Sequence, residues 1–180
     1  MKSCGVCALG CSAFRGSDRF TVTKSVLSRC DLPVISALVA IRQTQANTLY
    51  AQGDLAGARK LQEETLNILR RVLRPEHPDT LWSMNNLARM LRAQGDLAGA
   101  RKLLEETLDI LRRVLGPEHL GTSASARNLF ETLQDLGELA AAMAVLKGDL
   151  LWLLDRDAAS LGSEQRTIRQ YVAQVIERDA

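Results

Sequence analysis

The chain has 180 residues, a formal net charge of +2, and side chains that are 46% apolar but only 4% aromatic. This near-balance of charge excludes a strongly basic nucleic-acid-binding protein and an acidic disordered chain. A core of Leu, Ala, Val and Ile, with few glycines and prolines, predicts an all-α fold rather than a β-sandwich. No apolar run approaches the ~20 residues of a membrane-spanning helix, so we expect no membrane partner.

The first 36 residues differ from the rest of the chain because they are basic and show no apolar period. Five basic residues stand against two acidic ones, and we expect a poorly ordered leader. Its apolar stretch is short and contains cysteines, which is atypical of a signal peptide and favours a cytoplasmic protein. All four cysteines of the chain lie in this leader, as Cys4, Cys7, Cys11 and Cys30.

These thiols admit two interpretations. Four thiolates could close a tetrahedral zinc site and make the chain a metal- or redox-responsive regulator. Zinc sites usually combine two pairs of closely spaced cysteines, however, and Cys30 has no neighbouring partner. The sequence therefore favours reduced thiols that bind no metal and no cofactor.

A repeat with a period of 42 residues dominates the remainder of the chain. Residues 49–80 and 91–122 are identical at 26 of 32 aligned positions. A third, decayed copy follows at the same period. We therefore predict three repeats within residues 37–155, with approximate bounds of 39–80, 81–122 and 123–155.

The sequence of each repeat predicts two antiparallel helices, here called helix A and helix B. In the second copy, apolar residues recur at intervals of three and four in two blocks. Gly95 separates the two blocks, and Gly116-Pro117 ends the second block. Glycines at the same position predict turns in the other copies, at Gly53 and Gly137. Beyond the third copy, an apolar stripe over residues 163–178 predicts a C-terminal capping helix.

The pattern Asn-Asn-Leu-Ala, then Gln-Gly-Asp-Leu, closed by Leu-Gly-Pro-Glu-His, resembles the 42-residue tetratricopeptide repeat of kinesin light chains and many bacterial proteins. The resemblance covers about residues 38–155 and implies an α-α superhelix, a solenoid of helix hairpins. In the first copy the matching residues Arg42, Gln45 and Gln62 are polar, so we expect its helix A to be an exposed cap. The family's packing positions fall on Met84, Leu87, Ala88, Leu91, Ala100, Leu104 and Thr107.

Motifs of catalysis are missing from the sequence. It contains no Walker-type phosphate loop, no Gly-x-Ser-x-Gly elbow and no His-x-x-x-His pair. His77 and His119 occupy the same loop position one period apart, and we expect them to be structural. Glu63-Glu64 and Glu105-Glu106 are expected on a solvated helix face. The sequence thus predicts that the chain is not an enzyme.

Successive helices A predict a concave surface, on which Trp82, Asn85, Arg89 and Arg92 share one helix face. In the family that the chain resembles, this groove holds an extended peptide, and asparagines near the Asn-Asn-Leu-Ala motif contact the peptide backbone. The candidate partner-binding residues are Asn47, Tyr50, Trp82, Asn85, Asn86, Arg89, Arg92, Arg127 and Asn128.

The leading functional hypothesis is a non-catalytic module that binds a peptide or protein in this groove. Three arginines against Glu131 predict a mild positive bias, suited to acidic side chains or a free C-terminal carboxylate. Nucleic acid and membranes are not expected partners. The alternative is a structural or self-associating fragment of a larger array, because near-identical repeats could stack end to end.

Overall fold

The computed structural model describes residues 32–179 of the chain. All four cysteines, and with them the hypothesis of a metal- or redox-responsive regulator, lie outside the described residues. The first helix begins at Leu32, inside the segment that was expected to form a leader up to residue 36. A proline at position 33 suits this start, because proline is favoured in the first turn of a helix.

Residues 32–179 contain eight α-helices and no β-strand, so the predicted all-α fold class is confirmed. A π-helical turn at Leu146–Leu150 and a 3-10 turn at Ala158–Ser160 interrupt the last part of the chain. The helices are α1 (Leu32–Ala51), α2 (Leu55–Val72), α3 (Pro78–Ala93), α4 (Leu97–Val114), α5 (Leu120–Asp135), α6 (Leu139–Val145), α7 (Trp152–Asp155) and α8 (Ser163–Asp179).

The sequence Gln-Gly-Asp-Leu-Ala-Gly forms the turn between the two helices of a repeat. Gly95 has a φ of 83° and ends α3, and Gly53 and Gly137 have φ values of 85° and 76° in the equivalent turns, as predicted. Asp96 caps α4, because its carboxylate accepts a hydrogen bond from the Gly99 N–H at 3.0 Å. A Cβ atom on Gly99 would lie only 2.8 Å from that carboxylate. The second glycine of the motif therefore leaves room for the cap.

The Pro-Glu-His loop between repeats starts the next helix A. His77 is the N-cap of α3, and its Nδ1 accepts a hydrogen bond from the Asp79 N–H at 3.2 Å. His119 caps α5 in the same way, accepting from the Gly121 N–H at 3.0 Å. Both histidines therefore have a structural role, as duplication of the loop predicted.

The core runs along the stack and confirms the predicted packing positions. Ala88 on α3 and Ala100 on α4 are both 0% exposed, and these small side chains let the two helices approach closely. The helix α8 covers the end of the stack as the predicted cap, since Ile168, Val172 and Val175 belong to the same buried cluster as α5 and α6. The seven family positions are all buried: Met84, Leu87, Ala88, Leu91, Ala100, Leu104 and Thr107.

The polar residues of the first repeat lie in different surroundings. Gln62 is fully buried, and its amide donates to the Ser83 carbonyl and hydroxyl oxygens at 3.1 and 3.0 Å. Arg42 is half-buried beside Glu64, at 3.6 Å, whereas Gln45 is exposed. The next repeat thus pairs the amide nitrogen of Gln62, whereas its Oε1 is buried without a partner among the described residues. The helix α1 leaves one face uncovered, as expected of an end helix.

Helix B of the third repeat continues past the sequence Lys147-Gly148-Asp149. The Leu151 N–H donates to the Leu146 carbonyl at 3.0 Å, a π-type hydrogen bond that carries the chain through this segment. Helical structure therefore extends to Asp155, where α7 ends. Across residues 32–179, no helix combines the length and apolarity needed to cross a bilayer.

Candidate functional site

A cleft of about 1010 Å³ runs across the faces of α3, α5 and α8. Asn47 is exposed on α1 but does not line this cleft. The other eight candidate residues all do: Tyr50, Trp82, Asn85, Asn86, Arg89, Arg92, Arg127 and Asn128. The spacing on helix A therefore brought eight of nine candidates to one surface, because residues three and four apart share a helix face.

The capping helix α8 forms one wall of the cleft with Glu164, Thr167 and Ile168. None of these was identified from the sequence, because α8 does not carry the repeat motif. The period of 42 residues was the signal that could have placed α8 beside the cleft. Ser163 at the start of α8 follows Gly121, near the start of α5, by one period. The cap thus occupies the position of a fourth helix A.

Two amide atoms of residues that line the cleft lack hydrogen-bond partners, as do four buried side-chain atoms elsewhere in the described residues. The Oδ1 atom of Asn85 and the Nδ2 atom of Asn86 are buried and unpaired among the described residues. Most buried polar atoms in proteins are hydrogen-bonded, so such atoms call for an explanation. Together they offer one acceptor and one donor, the complement of the N–H and C=O groups of a peptide.

Arg92 is held by two carboxylates of α5. It contacts Glu131, and its Nε donates to Asp135 at 2.6 Å. Burial would lower the pKa of Arg92, but the hydrogen bond to Asp135 and the charge of Glu131 outweigh it and raise that pKa. Arg92 is therefore a permanently charged link between α3 and α5.

Arg127 is fixed by α5 and by the cap. Its Nε donates to Glu131 at 2.9 Å, and its guanidinium lies 5.3 Å from the centre of the Tyr171 ring. Tyr171 in turn meets the Phe130 ring edge-on, with centroids 6.2 Å apart and an interplanar angle of 80°. The cap therefore orients a cation in the cleft as well as covering the core.

The predicted positive bias of the cleft is wrong for the site as a whole. The acidic side chains come from two helices, and the sequence argument weighed only Glu131 among them. Arg89 is exposed and is the cleft arginine without an ion pair among residues 32–179. The formal charges of the lining balance, with Arg89, Arg92 and Arg127 against Glu131, Asp135 and Glu164.

Two aromatic side chains stand at the cleft with much of their surface in solvent. Trp82 is 54% exposed and Tyr50 is 40% exposed. Tryptophan, tyrosine and arginine are the residue types that most often dominate binding energy at protein interfaces. Within the described part of the chain, no group of three or more His, Cys, Asp and Glu side chains is arranged to hold a metal ion.

The model of the tetratricopeptide repeat family matches the chain at residues 36–112 and 85–147. No curated protein matches the chain. Among solved structures, a Podosopora anserina protein described as a kinesin light chain with nearly identical TPR-like repeats aligns at 28% identity and a TM-score of 0.61, covering 78% of this chain and 67% of that one.

Two further solved structures show the same fold. A point variant of the Podosopora anserina protein aligns at 23% identity and a TM-score of 0.64, covering 78% of this chain and 72% of that one. BtubC (BKLC) from P. vanneervenii aligns at 16% identity and a TM-score of 0.64, and the alignment covers 80% of this chain but 63% of that one. The architecture is thus that of kinesin light chain-like helical repeats.

Proposed function

Because the chain belongs to the tetratricopeptide repeat family, we propose that it is a non-catalytic module that binds a peptide or protein partner in the cleft between α3, α5 and α8. Tetratricopeptide repeats are in general protein-interaction modules. The observation that carries the proposal for this cleft is that two neighbouring lining residues hold amide atoms unpaired among the described residues, Asn85 Oδ1 and Asn86 Nδ2.

These two atoms favour an extended polypeptide over other ligands. A buried polar atom without a partner costs about 1–3 kcal/mol, so a ligand that pairs both atoms once the two side chains turn into the cleft recovers that free energy on binding. An extended peptide presents N–H and C=O groups in alternation, and it can therefore pair an acceptor and a donor on neighbouring residues. Asn128 on α5 also lines the cleft and would add a third amide.

The surroundings of the two asparagines define the chemistry of the partner. Of the three cleft arginines, Arg89 is the one without an ion pair in the described part of the chain. It would bind a carboxylate, either an acidic side chain or the C-terminal carboxylate of the peptide. Trp82 and Tyr50 offer apolar surface to a peptide side chain next to that carboxylate. A nucleic acid is disfavoured, because the balanced charges provide no basic track for successive phosphates.

Stacking of copies end to end, the alternative interpretation, has less support. The exposed positions of α8 are polar and include Arg166, Gln170, Gln174 and Glu177. A polar terminal helix is typical of a repeat array that ends in water. Light scattering of the purified chain should accordingly give a mass of 19.8 kDa, and a mass that grows with concentration would favour self-association.

The binding test uses a peptide selected on the full chain from a random phage-displayed library. The double variant Asn85→Ala/Arg89→Ala should weaken that peptide by at least about 2 kcal/mol, or about 30-fold in Kd, because central contacts carry most binding energy. Circular dichroism and thermal melting should remain those of the parent, since Arg89 is exposed and Asn85 is partly so.

A matched control lies on the other helix of a repeat. Asn67 and Arg71 are exposed on α2 with the same spacing of four residues, and Asn67→Ala/Arg71→Ala should leave the Kd unchanged. If this control lost the peptide while the Asn85→Ala/Arg89→Ala variant kept it, the binding surface would be formed by the helices B and the proposal would be wrong.

A further inference from the structure

The N-terminal end of the stack has an uncovered apolar groove. Ile41 on α1 is 57% exposed, although it is a large aliphatic side chain. It lines a groove of about 600 Å³ together with Gln45, Leu49 and Leu61. Arg42 is the one charged residue of α1, and its guanidinium contacts Glu64. The groove is thus suited to an apolar occupant.

In the following repeats the same positions are covered by a helix B. Ser83 and Leu87 follow Ile41 and Gln45 by one period, and they are 0% and 6% exposed because α2 packs across α3. Ser125 and Leu129 follow by two periods and are 0% and 3% exposed, because α4 packs across α5. The groove on α1 is therefore the place where a preceding helix B would pack.

The structure defines which residues of a helix B are buried. In each of the three copies the same five positions are buried: a small residue, a large residue, a Thr or Asp, and two leucines. In α2 these positions are Ala58, Gln62, Thr65, Leu66 and Leu69, and in α4 they are Ala100, Leu104, Thr107, Leu108 and Leu111.

The residues one period upstream of α2 have no apolar period of their own, but when aligned with the repeats they match four of these five positions by residue type. Gly16 is small, Phe20 is large and apolar, and Thr23 and Leu27 are identical to Thr65 and Leu69. Lys24 is the exception, and its aliphatic stem can cover apolar surface while its ammonium group reaches water. Apolar Val22 falls at the position of Glu64, which is exposed.

We propose that residues 16–27, which lie outside the described residues, dock in the groove on α1 as the helix B of an incomplete upstream repeat. Four residues, 28–31, then connect this segment to Leu32, whereas eight residues, 70–77 and 112–119, separate the equivalent Leu69 and Leu111 from the next helix A. The proposed helix B therefore ends soon after Leu27. A segment tethered by so short a linker has an effective concentration in the millimolar range. It therefore outcompetes a second copy of the chain for the groove.

Limited trypsin digestion of the full chain tests this docking. Arg19 and Lys24 are cleavage sites within the proposed segment. The variant Ile41→Glu places a charge in the groove without altering the residues around either site, and it should speed cleavage there at least tenfold. Leu139→Glu is the matched control, since Leu139 is 62% exposed on α6. This control should be cleaved at the rate of the parent chain.

A second measurement uses variants of the segment itself. Phe20→Glu should raise the hydrogen-exchange rate of α1 amides, whereas Val22→Glu, at a position expected to face water, should not. The proposal is overturned if Ile41→Glu and the parent are cleaved at equal rates, or if Phe20→Glu and Val22→Glu exchange alike. It is also overturned if protection of Arg19 and Lys24 from trypsin rises with chain concentration. The groove would then be filled by the segment of a second copy.

Discussion

Arg74 and Gly116 occupy the same position in consecutive repeats and share a left-handed backbone. Their φ values are 76° and 86°. A side chain in this region costs about 1–2 kcal/mol, a cost that glycine does not have. Each carbonyl accepts a hydrogen bond from a threonine of the next helix, Thr80 at 2.9 Å and Thr122 at 2.7 Å, so the loop geometry is the same in both copies.

This pair predicts a stabilising substitution. Arg74→Gly relieves the backbone strain, while the greater freedom of glycine in the unfolded chain returns part of the gain. The net effect should be about 0.5–1 kcal/mol of added stability in urea unfolding. Gly116→Arg should lower stability by a similar amount, and a stabilising effect of that reverse change would contradict the argument.

The phenol of Tyr171 is placed so that its ionisation is disfavoured. Burial first, and the charge of Glu131 second, raise the pKa of Tyr171 above its ordinary value, and Arg127 offsets this only in part. The chain has two tyrosines, so Tyr50→Phe leaves Tyr171 as the sole phenol. In that variant, absorbance at 295 nm should rise at a higher pH than in the urea-unfolded chain.

The sign of this shift carries over to stability. A group whose pKa is raised by folding binds its proton more tightly in the native state. Its contribution to stability is therefore present below the unfolded pKa of about 10 and is lost as the pH rises through the folded value. If the two titrations coincided, the ring would be solvated rather than packed against Phe130 and Arg127.

At the scale of the elements, ion pairs between successive helices B repeat with the chain. Arg70 on α2 donates to Glu106 on α4 at 3.3 Å. One period on, Arg112 cannot meet a side chain at Gly148, and it instead forms two hydrogen bonds with Asp149, at 2.7 and 2.5 Å. The hydrogen bond with Asp149 is the largest cause that raises the pKa of Arg112.

The burial of the two acidic partners differs and predicts unequal effects. The Asp149 side chain is 4% exposed, whereas that of Glu106 is 49% exposed. Arg112→Ala leaves a buried carboxylate unpaired and should cost about 2–3 kcal/mol. Arg70→Ala, the matched control, should cost less than about 1 kcal/mol because water replaces the arginine. Equal costs in chemical denaturation would show that Asp149 is solvated.

At the scale of the whole molecule, stability is shared only between neighbours. Successive helices contact one another along the stack, so a repeat has few contacts beyond the next one. The core reflects this order. The cluster that contains the cap extends back to Ala88 on α3, whereas α1 packs with α2, and at Met90 with α3, in separate small clusters. A defect at one end should therefore stay at that end.

The cap offers a direct test of this locality. Val172 is 0% exposed, and Val172→Asp buries an unpaired charge that should cost at least about 3 kcal/mol. Gln170→Asp, at an exposed position of the same helix, should be nearly neutral. Hydrogen exchange should accelerate in α5–α8 and not in α1–α2. Uniform acceleration along the chain would instead indicate one global unfolding unit.

The period of the sequence was sufficient to predict much of this protein. Helix boundaries, turn glycines and the buried face follow from local rules, because a step of three or four residues and a glycine with positive φ act within one helix or turn. The face shared by Trp82, Asn85, Arg89 and Arg92 followed for the same reason. The prediction that α1 is an end helix rested on Arg42, Gln45 and Gln62, which are polar where other copies are apolar.

Only the tertiary structure decided how these faces meet. The partners of Arg92 are 39 and 43 residues away, and the superhelical packing of α3 on α5 brings them together. The charge balance of the cleft, the wall formed by α8 and the uncovered groove on α1 all depend on that packing. A periodic sequence specifies each hairpin locally, whereas contacts between repeats depend on side chains that the period leaves free to vary.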